Sequence, residues 1–133
     1  MNEIIIDADK TILGRLASYA AKQALLGKKV IVVNCGEATL SGGRRMIINE
    51  YAIFRKKGGS IQKGPFLHRS PEKITKRTIR GMLPHLQQRG IDALKRVKCY
   101  NGLPEEYKNA KKTNLAEPKM SKTIKLVELS REL

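Results

Sequence analysis

Residues Glu3–Cys35, EIIIDADKTILGRLASYAAKQALLGKKVIVVNC, carry three hydropathy patterns in succession, and their order decides the fold. EIIID (Glu3–Asp7) is a short apolar run that reads as a buried strand. Beyond it Ile12, Leu13, Leu16, Ala17, Ala20, Ala24 and Leu25 recur at helical spacing, with Thr11 placed to cap the start and Gly27 to end the helix. KVIVVNC (Lys29–Cys35) is β-branched and apolar throughout, the pattern of a strand covered on both faces. Strand, helix and strand in so short a span make a right-handed βαβ unit around a parallel sheet. The fold class is therefore α/β.

Working outward, GEATLSGGRRM reads as a loop ending in Ser41–Gly42–Gly43. RRMIINEYAIFRKK is a second helix with Met46, Ile47, Tyr51 and Phe54 turned inward. Gly58, Gly59, Gly64 and Pro65 mark a flexible connection. SPEKITKRTIRGMLP (Ser70–Pro84) is a third helix, with Ser70 as N-cap, Pro71 in the first helical position and Pro84 closing it. QQRGIDALKR is a shorter helix, VKCY a third strand, and TIKLVEL (Thr123–Leu129) a final strand after an irregular basic stretch. The 133 residues suit one domain, with residues 108–133 as a basic, partly irregular C-terminal segment.

Charge is the strongest global signal. Lysine and arginine number 27 against 12 acidic residues, a net of +15. Residues 1–43 hold five basic and four acidic side chains, so nearly all of the excess lies beyond them. Self-repulsion of this size opposes compaction unless a polyanion neutralises it, and nucleic acid is the usual polyanion. No segment approaches the ~18 continuous apolar residues that span a membrane. MNEIIIDAD has the pattern of neither a signal nor a transit peptide, so an intracellular protein is expected.

Chemistry-bearing motifs are few. The first strand–helix turn, DADKTILGRL, has one glycine where a dinucleotide site needs three, and a phosphate-binding GxxxxGK[ST] loop is absent. Asp7 and Asp9 stand where α/β sheets place active carboxylates, but no histidine is tied to them, and they read as helix-start anions. Cys35 and Cys99, even with His68 and His85, lack the spacing of a zinc site and read as ordinary buried thiols. No catalytic constellation, metal or cofactor is expected. Aromatic residues make up 5% of the chain, too few for a reader of single strands by stacking.

What remains is a basic surface. From Arg55 to Arg80 stand Arg55, Lys56, Lys57, Lys63, Arg69, Lys73, Lys76, Arg77 and Arg80, with Glu72 the one acidic residue among them. Lys73, Lys76, Arg77 and Arg80 share one side of their helix, where like charges at i,i+3 and i,i+4 repel. A solvated helix face mixes signs; this one looks built for the phosphates of a partner, which the arginine fork grips well. In LSGGRRM, Arg44 and Arg45 follow a glycine turn that can cradle an anion or simply cap a helix. A basic stripe with few aromatics suits shape and phosphate recognition of folded RNA, the rivals being a βαβ enzyme using Asp7 or Asp9 and a DNA-binding protein.

IDAD…ILGRLAS (Ile6–Ser18), VIVVNCGEATLSG (Val30–Gly42), RSPEKITKRTIRGMLP (Arg69–Pro84) and LKRVKCYNGLPEEY (Leu94–Tyr107) resemble, in order, the signature blocks of the universal large-subunit ribosomal protein thirteen family. RKKGGSIQKG after Phe54 looks like the archaeal or eukaryotic branch. The resemblance implies a three-layer α/β/α domain around a small parallel sheet and a non-enzymatic role in the cytoplasmic ribosome. It implies large-subunit ribosomal RNA and neighbouring large-subunit proteins as partners, without a small-molecule substrate. The RNA-facing role falls on Arg44, Arg45, Arg69, Lys73, Lys76, Arg77 and Arg80.

Overall fold

The computed structural model describes residues 3–56, 69–114 and 123–132. Strand β1 (Glu3–Asp7) and strand β2 (Lys29–Val33) pair in parallel, with Ile4 opposite Val30 and Ile6 opposite Val32. Helix α1 (Leu13–Leu25) connects them and buries Leu13, Leu16, Ala17, Ala20, Ala21 and Ala24. Its start differs from expectation. Ile12 occupies the N-cap, while the buried Thr11 donates its hydroxyl to the Asp9 carbonyl and its own carbonyl accepts from Thr39. Thr11 is thus held in the turn after β1 and cannot reach the helix. Gly27 ends α1 at a φ of +93°, a left-handed conformation that side chains with a Cβ resist. Arg96 adds a hydrogen bond of 2.9 Å from its guanidinium to the Ala24 carbonyl at the same helix end.

After β2 the chain makes a 3-10 turn (Cys35–Glu37) and a short strand β3 (Thr39–Ser41), where a loop was expected. Helix α2 (Arg44–Lys56) follows with only part of the expected inward face. Ile47 is buried and Tyr51 packs against the core, but Met46 is 58% and Phe54 52% exposed. Apolar residues lie all around this helix, so its periodicity does not single out one side. Helix α3 (Pro71–Gly81) begins as predicted at Ser70 and Pro71, although the Ser70 side chain makes no capping bond and its carbonyl receives Lys73 and Ile74 instead. Ile74, Thr75, Ile79 and Leu83 are buried, whereas Met82 is exposed.

Helix α4 (Gln88–Lys95) leads into β4 (Val97–Cys99), which pairs in parallel with β2. A second 3-10 turn (Glu105–Tyr107) and strand β5 (Thr113–Asn114) follow, β5 lying parallel to β1. The main sheet has the order β4-β2-β1-β5, all parallel. The expected final strand is only half a strand. Thr123–Lys125 form β6, antiparallel to β3, and helix α5 (Leu126–Glu132) takes over at once.

Alternation along β1 and β2 sorts their side chains between two faces. Ile6, Val30 and Val32 join α1 together with Ile74, Ile79, Ala93, Leu126 and Leu129 in the larger core. Ile5, Ile31 and Val33 point the other way, under Tyr100, Tyr107 and Ala110. Each such aliphatic side chain removed from water contributes about 1.5–3 kcal/mol. The α/β class and the small parallel sheet agree with the sequence reading. Among the described residues the two covering layers are unequal: helices on one side, the second 3-10 turn and its flanks on the other.

Candidate nucleic-acid interface

The cationic side of α3 does not face open solvent alone. Glu72, Lys73, Lys76, Arg77 and Arg80 form one wall of a groove of about 760 Å³, and Leu94, Lys98, Cys99 and Tyr100 from the α4–β4 region form the other. Ile74, Thr75 and Ile79 are buried on the inner side of α3, which fixes the helix rotation and aims the cations outward. The stripe from Lys73 to Arg80 is about 10 Å long at 1.5 Å per residue. Among the described residues, Lys73, Lys76, Arg80 and Lys98 meet no carboxylate within ion-pairing distance. Five cations thus share one concavity with a single acid, Glu72.

Lys98 escaped the sequence reading. It lies in a three-residue strand, and only the pairing of β4 with β2 brings it opposite α3. Its one visible signal was a charge inside an otherwise apolar strand.

Arg77 has a second role. Its guanidinium lies 5.5 Å from the centre of the Phe54 ring, a cation–π stack that ties α3 to α2. A second hollow of about 560 Å³, lined by Tyr51, Ile53, Phe54, Ile74 and Arg77 among others, runs between these helices. Burial raises the Tyr51 phenol above its usual range, the neighbouring Glu50 charge adding to the effect.

The other predicted cations among the described side chains do not line the groove. Arg44 turns to α5, 3.2 Å from Glu128 and 3.5 Å from Glu132, in pairs whose side chains remain 54%, 40% and 50% exposed. Arg45 and Arg69 are exposed at the starts of α2 and α3. Lys57 and Lys63 lie outside the described residues, as do the side chains of Arg55 and Lys56. Asp7 has structural work: one carboxylate oxygen accepts from the Asp9 amide at 3.0 Å and from the Asn34 side chain at 3.2 Å. Neither Asp7 nor Asp9 lines either hollow. Among the described residues no helix is long and apolar enough to cross a membrane, and no group of three or more metal-binding side chains assembles.

Comparison with known proteins gives one answer. Residues 1–106 match the model of the family described as Ribosomal protein L13. The chain is 43% identical over 135 residues to the large ribosomal subunit protein uL13 of Methanosarcina barkeri, covering 97% of this chain and 96% of that protein. The protein of the same name from Methanococcoides burtonii is 40% identical over 134 residues, with coverage of 97% and 96%. That of Caenorhabditis elegans is 44% identical over 110 residues, 81% of this chain and 54% of the longer relative. A family match over most of the chain, with relatives aligned nearly end to end, settles the assignment: the chain belongs to the ribosomal protein L13 family.

Proposed function

We propose that the chain is a structural constituent of the large ribosomal subunit in the cytoplasm and grips ribosomal RNA through the groove between α3 and β4. The family is structural and not enzymatic, and its members are named for the large subunit. The observation that carries the RNA reading is the gathering of Lys73, Lys76, Arg77, Arg80 and Lys98 around one concavity. Like charges held this close repel one another until phosphates enter, so binding relieves a strain that folding leaves in place. Phosphate contacts of this kind fix register and orientation without reading base sequence. The scaffold therefore acts as a rigid clamp on a folded RNA backbone and supports assembly of the subunit. Arg45 and Arg69 extend the basic surface, and Arg44, with Arg55, Lys56, Lys57 and Lys63, completes the proposed contact set. Neighbouring subunit proteins are the proposed partners of the remaining surface.

The test is sedimentation of the tagged chain from a cell extract. It should travel with the large subunit and be released by high salt. A chain that stays at the top of the gradient at low salt would refute the reading.

A further inference from the structure

Two thiols at the groove play no part in holding phosphate. Cys99 lines its wall, and Cys35 is completely buried just behind it. Three backbone hydrogen bonds clamp the segments that carry them. The Tyr100 amide donates to the Val32 carbonyl at 2.8 Å, the Cys35 amide to the Tyr100 carbonyl at 3.0 Å, and the Asn34 amide to the Gly102 carbonyl at 3.0 Å. Cys99, registered against Val32 and preceding Tyr100, is thereby brought beside Cys35, a second free thiol whose sulfur lies 3.9 Å from the Val32 carbonyl.

We propose that Cys35 and Cys99 are an oxidisable dithiol, a site at which hydrogen peroxide installs an internal disulfide at the floor of the basic groove. The pair shares its protons. The Cys99 S–H stabilises a Cys35 thiolate and holds that thiol below its usual range, while the second proton is retained at Cys99 well above it. The shared proton can sit on either sulfur, and Cys99 is the thiol that lines the groove, so peroxide reaches it and the reaction runs through its thiolate. The Cys99 thiolate attacks one peroxide oxygen. An S–O bond forms, the O–O bond breaks, and hydroxide leaves to become water, giving a sulfenic acid. Cys35 sulfur then attacks Cys99 sulfur, the S–S bond forms, the S–O bond breaks and a second water departs. Two thiols lose two hydrogens and two electrons, and one peroxide is reduced to two waters. The product ties the turn after β2 to the end of the edge strand β4, directly beneath the cations.

The experiment uses the full chain and hydrogen peroxide, followed by non-reducing peptide mapping. In the folded protein a Cys35–Cys99 linked peptide should form at a rate independent of protein concentration and disappear with dithiothreitol. Formation should be roughly tenfold or more faster than in urea, because the fold supplies the encounter of the two sulfurs. In C35S, Cys99 should stop at the sulfenic acid and be captured by dimedone. Circular dichroism checks that this variant folds, and the comparison of folded with urea-treated wild type stands without it. A disulfide that forms no faster in the folded chain than in urea would overturn the proposal, as would a folded C35S that yields no dimedone adduct.

Discussion

Replacing Lys76, Arg80 and Lys98 together by alanine separates the groove's binding role from its part in folding. Arg77 is left in place because its stack on Phe54 joins two helices. Arg80 and Lys98 are exposed and Lys76 is half-buried, so no core contact is lost. Removing the Lys76/Arg80 repulsion returns a few tenths of a kcal/mol. Stability should therefore stay within about 0.5 kcal/mol of the parent, as for surface changes generally. Binding should change far more. Each phosphate contact adds about 0.7–0.9 to the slope of log affinity against log salt, so three lost contacts flatten it by about 2–3. Over a fourfold rise in salt, from about 50 to about 200 mM, the affinity gap between the two proteins should narrow by about 20- to 40-fold. Fluorescence anisotropy of a labelled large-subunit RNA fragment, titrated at several salt concentrations, measures this directly. A triple variant that folds normally and keeps the parental slope would show that phosphates are held elsewhere.

Three further outcomes are expected. Gly90→Ala should destabilise the chain by about 1–3 kcal/mol in urea unfolding, because a Cβ there would run into the Pro84 carbonyl and the His85 amide, which are backbone and cannot turn aside; an unchanged midpoint refutes it. Arg44→Ala should lower stability by less than about 1 kcal/mol, since both of its ion pairs are half in water, and calorimetry showing a loss above about 2 kcal/mol would contradict this. Tyr51 ionises later in the folded state than its ordinary value of 10.0, chiefly through burial, so the unfolded chain loses that proton first and stability falls as pH climbs from about 10. Tyr51→Phe should lack this component, and denaturation curves that stay parallel through the alkaline range would refute it.

The parts legible in the sequence were those whose partners lie close along the chain. β1, α1 and β2 form a contiguous unit, and each carries its own period. The cationic side of α3 was equally plain, because i,i+3 and i,i+4 spacing is all it needs. What escaped notice depends on distant pairing. β3 is three residues long and exists by virtue of β6, so Thr39–Ser41 looked like a loop and Leu126–Leu129 like more strand. Lys98 is an ordinary lysine until β4 docks beside α3, and the two cysteines look unrelated until the 100–102 segment folds back on the turn after β2. On α2, Met46 and Phe54 have the spacing of core residues. Ile47, Ile48 and Tyr51 offer a competing face, and that face is the one the core takes.

The pairing of β3 with β6 also sets a timetable. On a nascent polypeptide the first parallel pair can close as soon as β2 has emerged, but Leu40 must wait for Ile124, and the Ala38 carbonyl for the Leu126 amide. Until then a short strand edge and the greasy seat of Ile124, Leu126 and Leu129 stand open. A product released early, or clipped before residue 123, keeps its cationic groove yet exposes that seat. It could still touch RNA, but chaperones and proteases would recognise it as unfinished.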